Sequence, residues 1–301
     1  MPAPEYPKIS VVTFCLNSGR FLKNTIESVL KQSFTDYEHI IIDGGSTDQT
    51  IEILQEHPHL RWVSEKEEGE NTVLDAIWKG FTMARGQYVV LLAVSDAILD
   101  EQWFDKAVKR LDTDGEISCV WGLSQALSAE NDYGKVIWPE YLEKPPPQKM
   151  DFLPFWLATG HGLESNAVFR LNIIKECFPK NQDKDPYRYS PTIGLNYRLN
   201  TKGYLPFFIP TISFLGRTHT GQRLERYETL IDSVTKRYEK DIRSYRKGLF
   251  TGKLTHSYRD GSSRIVKQIG PQELGPCRRK YWEYRIRGKI RRNLLKLLDY
   301  I

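Results

Sequence analysis

Over the first 125 residues, apolar and polar positions alternate between two periods. Ile9 to Cys15 (ISVVTFC) is a β-rich apolar run that ends in the turn signal Asn17-Ser18-Gly19. Phe21, Leu22, Ile26, Val29 and Leu30 then recur at helical spacing. His39 to Ile42 reads as a second strand, and a helix carrying Ile51, Ile53 and Leu54 is expected from Asp48. Residues 60–64 (LRWVS) predict a short third strand. Leu74, Ile77, Trp78 and Phe81 predict a helix over 73–84 that stops at Gly86. Gln87 to Val94 (QYVVLLAV) is nearly all apolar, as a strand buried on both faces should be. A helix over 102–111 and a strand over 117–123 complete the series. Strands alternating with helices imply βαβ units, hence an α/β fold with a mainly parallel central sheet flanked by helices.

Beyond residue 130 the pattern loosens. Pro145-Pro146-Pro147 marks a loop, residues 163–177 read as strand then helix, and 192–201 as a short helix. Residues 206–214 (PFFIPTISF) predict a broken strand, and 222–247 a long polar helix. The Gly/Ser/Pro-spiked stretch 250–276 reads as a linker. The expected organisation is a domain over 1–221, with halves of about 1–125 and 126–221, then a helical extension and linker over 222–276 and a tail over 277–301.

Hydrophobic residues at 40% and charged residues at 27% are ordinary for a soluble globular protein. Cys15, Cys119, Cys177 and Cys277 form no CxxC pair, which points to reduced thiols and away from a disulfide frame or zinc site. The net charge of +5 is uneven: residues 277–301 hold nine Lys/Arg against two acids, so the basicity lies in the tail. There Trp282, Ile286, Ile290, Leu294, Leu297 and Ile301 form one apolar stripe, with Arg285, Lys289, Arg292 and Lys296 opposite. Such a helix is expected to lie on an anionic membrane surface, the alternative being a helix packed on its own domain. No recognition fold accompanies the charge, so nucleic acid is not an expected partner. The N-terminus lacks a long apolar leader segment, and Val89–Val94 falls far short of the ~20 apolar residues of a spanning helix. The expectation is a cytoplasmic protein, peripheral on the inner face of the membrane at most.

The stretch with the clearest chemistry is Ile40 to Thr50, IIIDGGSTDQT. Gly44 and Gly45 permit positive φ and close backbone approach to a ligand. Ser46 and Gln49 fit an S-x-x-Q capping box opening the next helix. A tight strand-to-helix turn would explain that much, but it would not need Asp43. A carboxylate at a strand's end can accept a hydrogen bond from the N–H of a nucleobase, and in parallel sheets ligands bind beyond the carboxyl ends of the strands.

ISVVTFCLNSG, EHIIIDGGSTDQT, SEKEEG, an A-x-x-K-G helix and ARGQYVVLLAVSD follow one another over residues 8–100. In that order they resemble glycosyltransferase family 2, whose nucleotide-diphospho-sugar transferase fold is called GT-A. The likeness is strong over the first third of the chain and weaker over 163–215. It implies inverting transfer of a sugar from a nucleotide-diphosphate sugar, a UDP-sugar first among them, to a hydroxyl of a glycan or lipid-linked acceptor. It also implies a divalent cation, Mn²⁺ or Mg²⁺, to neutralise the leaving diphosphate. Carried over, Thr13 and Asn17 close the first loop around the nucleotide and Asp43 contacts the base. Gly45 admits the ligand, and Glu65 stands near the ribose or base. Asp75 and Lys79 belong to the nucleotide-sugar helix, and Asp96 is the metal ligand unless it merely caps the next helix. His219 is a second candidate ligand for the metal, and with Arg217 could reach the diphosphate.

The departures from the family are specific. Ala93 and Val94 replace a small polar pair, and Trp78, which could stack on a sugar or pack in the core, replaces an asparagine. In YRYSPTIGLNYRL (187–199), Thr192 stands where the family has its catalytic aspartate and Gly194 where it has a glutamate. A threonine hydroxyl cannot act as a base near neutral pH. Asp185 and Glu164 are the candidates to replace it, with Asp183 close by and His161 a candidate for the acceptor pocket. The rival reading is a degenerate transferase that keeps the nucleotide pocket as a partner subunit. A dinucleotide-dependent oxidoreductase would need G-x-G-x-x-G after the first strand, where the chain has CLNSGRF. The Gly-rich phosphate loop of a nucleotidyltransferase is missing too.

Overall fold

A computed structural model describes residues 6–66, 71–127, 133–137, 147–159, 162–163, 166–181, 184–217, 228–251 and 253–266. The first half is β1 (Ile9–Cys15), α1 (Gly19–Leu30), β2 (Tyr37–Asp43), α2 (Thr50–Gln55), β3 (Arg61–Ser64), α3 (Thr72–Met83) and β4 (Tyr88–Leu91). The short β5 (Ala97–Ile98), α4 (Trp103–Thr113), β6 (Ile117–Leu127) and β7 (Tyr133–Ile137) follow. Then come α5 (Phe152–Thr159), β8 (Val168–Arg170), α6 (Leu171–Cys177), α7 (Pro191–Thr201), β9 (Leu205–Arg217) and α8 (Glu228–Thr251). A hairpin of β10 (Thr255–Ser257) and β11 (Ser263–Ile265) comes last.

Among the described residues the main sheet runs β3-β2-β1-β4-β8-β6-β9-β5, with β7 on β6. The pairs β1–β2, β2–β3, β1–β4 and β6–β9 are parallel, while β8 runs antiparallel between β4 and β6. The chain leaves β1 towards β2 and β3, then returns to the other side of β1 as β4. That reversal opens a crevice at the carboxyl ends of β1 and β4. The strands are apolar on both faces because both faces are covered. Val12, Ile40, Ile42 and Val89 pack with Leu74, Ile77 and Phe81 of α3, while Val11, Tyr88 and Val90 pack with Trp103, Phe104 and Ala107 of α4.

Four local expectations need correction. The strand read over 87–94 ends at Leu91, after which Leu92 makes one more bond to β1 and the chain leaves the sheet. Helix α2 begins at Thr50, and the capping box is absent, because Ser46 bonds Asp43 instead of the helix. The broken strand is one strand, Leu205–Arg217, whose parallel register with β6 shifts at three steps. The linker read over 250–276 contains the β10–β11 hairpin, anchored by buried Leu254, His256 and Val266. The tail over 277–301 lies outside the described residues.

Candidate functional site

The loops after β1 and β2 are joined side chain to backbone. The Asn17 N–H donates to the Ser46 hydroxyl at 2.7 Å, and the Asn17 side-chain oxygen accepts the Thr47 N–H at 2.8 Å. Asn17 has φ of +47°, which asparagine tolerates better than most residues. The Ser18 N–H donates to Thr50 Oγ1 at 2.9 Å, and the Gly19 N–H to Asp48 Oδ2 at 3.0 Å. A carboxylate from the second loop thus satisfies a first-turn N–H of α1. The polar cluster after Ile40–Ile42 binds two strand ends into one rim.

Asp43 organises that rim. It is 1% exposed, and its Oδ2 accepts the Gly45 N–H (3.1 Å), the Ser46 N–H (2.9 Å) and the Ser64 hydroxyl (2.6 Å). Its Oδ1 accepts the Ser46 hydroxyl and the Cys15 thiol. Burial works to raise its pKa, but the hydrogen bonds from Ser46 and Ser64 outweigh it and hold the carboxyl below its ordinary value. The same burial, reinforced by the Asp43 charge, pushes the Cys15 thiol up, so it stays protonated. Gly45 has φ of +84°, and a Cβ there would come within 3.1 Å of the Lys66 backbone, so glycine is required.

Thr13 does not line the crevice. It is wholly buried on β1, and its hydroxyl bonds His39 Nε2 at 3.0 Å. Burial, with His59 and His57 nearby, lowers His39 to about 3, so the ring is neutral. This corrects the reading of Thr13 as a nucleotide contact: the side chain is wholly buried, with its hydroxyl bonded to His39 of the neighbouring strand β2.

Glu65 and Lys79 form an ion pair that ties the end of β3 to α3. One turn nearer the start of α3, Asp75 Oδ2 accepts the Asn181 amide at 2.6 Å. Buried Asn71, just ahead of the helix, donates to the Arg188 carbonyl at 2.7 Å. Trp78 is a structural residue. Its Nε1–H donates to the Pro179 carbonyl at 2.7 Å, and its ring meets Phe81 edge-on. The face of α3 is thereby stitched to the segment between α6 and α7. Asn71 and Asn181 have no signal in the sequence, because an asparagine with a tertiary partner looks like any loop asparagine until the fold is known.

Asp96 follows β4. Its Oδ1 accepts the Arg217 N–H at 3.1 Å, and its carbonyl accepts the Thr25 hydroxyl of α1 at 2.8 Å. The Arg217 guanidinium lies 5.4 Å from the centre of the Phe21 ring on α1. Pairing of β5 with β9 brings these segments together. No group of three or more His, Cys, Asp or Glu side chains able to hold a metal occurs among the described residues. Among the described residues Asp96 is the one of the two expected ligands that would offer a divalent cation a carboxylate oxygen, the ligand type hard cations prefer.

The acceptor side differs from expectation. Asp185 is not an available base. Its side chain is 9% exposed, Oδ1 takes Arg198 at 2.8 Å and the Tyr187 N–H at 3.0 Å, and Oδ2 takes the Lys180 N–H at 2.9 Å. It fixes the turn before α7. Thr192 is exposed in the first turn of α7. Gly194 is buried where a Cβ would sit 2.5 Å from both Pro179 Cγ and Tyr187 Cβ, so no glutamate fits. Glu164, Asp183, His161 and His219 lie outside the described residues.

A model of the family described as glycosyl transferase family 2 matches residues 10–178. Chondroitin synthase of Escherichia coli is 30% identical over 144 residues, which is 45% of this chain and 20% of that protein. Among solved structures, S. aureus TarS 1-349 in complex with UDP-GlcNAc superposes with a TM-score of 0.56 at 16% identity, over 78% of this chain and 66% of that one. The mannosyltransferase PcManGT from Pyrobaculum calidifontis, in complex with GDP-Man and Mn2+, gives 0.52 at 16% identity, over 92% and 74%. The chain spans between a fifth and about half the length of the curated relatives it matches.

Proposed function

Because the chain belongs to glycosyl transferase family 2 and has the GT-A fold, we propose that it transfers a sugar from a nucleotide-diphosphate donor to a hydroxyl, with inversion at the anomeric carbon. The acceptor proposed is a glycan or lipid-linked precursor, as in polysaccharide synthesis. The observation that supports this best is the polar rim at the carboxyl ends of β1 to β4, with Asp43 and Glu65 at the ends of β2 and β3 on one side of β1 and Asp96 in the segment after β4 on the other.

In this reading Asp43 receives the N–H of the base, which requires the Ser46 or Ser64 hydroxyl to turn away from it. Asn17 and Gly45 hold the rim open at backbone level, and the Glu65–Lys79 pair borders the ribose. Asp96 is the residue that would hold a divalent cation, which when bound neutralises the leaving diphosphate. Arg217 supplies positive charge beside it. A UDP-sugar is the proposed donor, since TarS is seen with UDP-GlcNAc, while GDP-Man on the Pyrobaculum enzyme makes a guanine nucleotide the first alternative. Contact with an anionic membrane through residues 277–301 is a further part of the proposal. The second reading, a partner subunit without turnover, is favoured by Thr192 and Gly194, which leave the family's base position without a carboxylate.

A thermal-shift panel of UDP, GDP, TDP and CMP with and without Mn²⁺ tests the pocket. A nucleotide at 100 times its Kd adds about 2.7 kcal/mol of stability. A metal-dependent shift with UDP is expected, and no shift with any nucleotide would refute the donor site.

A further inference from the structure

We infer that Asp75 is the general base of this chain, accepting the proton of the attacking hydroxyl in place of the carboxylate missing at Thr192. The inference rests on the transferase reading above, and three observations carry it.

Asp75 is accessible and half engaged. It lies in the first turn of α3, partly exposed, with Oδ2 fixed by Asn181 at 2.6 Å. No hydrogen bond or ion pair reaches its Oδ1 among the described residues. The other acids of the rim among the described residues are engaged. Asp43 accepts five donors, Asp48 holds Gly19 and Thr50, Glu65 is paired with Lys79, and Asp185 holds Arg198 and two N–H groups. Asp96 holds the Arg217 N–H on the donor side.

The start of the helix that carries Asp75 is tied to the loop leading into α7. Asn71 precedes Asp75 by one turn and binds the Arg188 carbonyl, three residues before α7 begins at Pro191. Thr192 belongs to that first turn of α7. The structure therefore joins the helix bearing this carboxylate, one oxygen of which has no partner among the described residues, to the loop that leads into the element where the family keeps its base.

In the step inferred, the acceptor oxygen bonds the anomeric carbon while the bond from that carbon to the diphosphate oxygen breaks, its electron pair leaving with the diphosphate. The acceptor proton passes to Asp75 Oδ1 and is later released to water. Asn181 acts as a positioning residue, holding Oδ2 so that Oδ1 faces the reaction.

Water serves as the acceptor in the test. The full chain is given UDP-GlcNAc, UDP-glucose or GDP-mannose with Mn²⁺, and nucleotide release is followed for wild type, Asp75→Asn, Asp75→Glu and Asn181→Ala. Asp75→Asn is expected to lower kcat by about 100-fold or more while nucleotide affinity stays within about two-fold. Wild type should show an acidic limb in its pH–rate profile that Asp75→Asn abolishes and Asp75→Glu retains. Asn181→Ala, a second variant should Asp75→Asn fold poorly, should lower kcat and leave KM nearly unchanged. A wild-type rate in Asp75→Asn, a parallel loss of nucleotide affinity, or a wild-type chain that binds nucleotide without releasing product would each overturn the inference. A wild-type chain that binds no nucleotide would sink the transferase reading itself.

Discussion

At the residue scale, Asp43 carries two loads that can be separated. Its carboxylate completes the turn through Gly45, Ser46 and Ser64, and in the proposed function it also meets the base. Removing it strands two N–H groups and two hydroxyls, so Asp43→Ala should cost roughly 3 kcal/mol of stability in denaturant unfolding. Ser64→Ala removes only one competing donor. It should cost about 1 kcal/mol and leave UDP affinity at or above wild type, whereas Asp43→Asn should weaken UDP at least ten-fold in calorimetric titration. Equal affinities for wild type and Asp43→Asn would reduce Asp43 to a turn residue. His39 gives a pH signature. Its folded pKa of about 3 lies below its unfolded value, so the unfolded chain binds the extra proton and stability falls as pH drops through about 6.5. Between pH 7 and pH 5 the loss from this residue should be about 2 kcal/mol, and His39→Gln should flatten that slope.

Elements show why the sequence was readable in part. Residues 9–125 kept their strand–helix alternation because each apolar run is long enough, or each period regular enough, to dictate one partner surface. Boundaries moved where side chains found tertiary partners: Ser46 turned from a helix cap to Asp43, and His256 anchored a hairpin where Gly and Ser suggested only a linker. Asp43 was legible as a rim residue from the turn chemistry around it, while Asn17 and Glu65 were legible only through the resemblance to the family. The buried state of Thr13 and the capture of Asp185 by Arg198 were not, because both depend on which neighbouring segment faces them. Helix α7 allows a direct check of its altered motif. It has no acid in its first turn, and Thr192 is exposed, so Thr192→Asp should add about 0.3–1 kcal/mol through the helix dipole. Gly194→Glu should prevent stable folding, since Pro179 and Tyr187 occupy the space its Cβ needs. Melting temperatures of the two variants settle both expectations.

For the whole molecule, the sheet order puts the crevice where the chain reverses direction, between β1 and β4, with the second half supplying Arg217 from β9. Strand order is invisible to periodicity, because a buried parallel strand reads the same at any position in the sheet. No helix among the described residues is long and apolar enough to cross a membrane. The central claim is one of location: a nucleotide sits on the rim at the carboxyl ends of β1 to β4. Hydrogen exchange followed by mass spectrometry, with and without saturating UDP and Mn²⁺, tests it most directly. Slowed exchange confined to residues 15–19, 43–50, 64–66 and 93–96 is the predicted result. Unchanged exchange there under saturating ligand, or protection centred elsewhere, would contradict it.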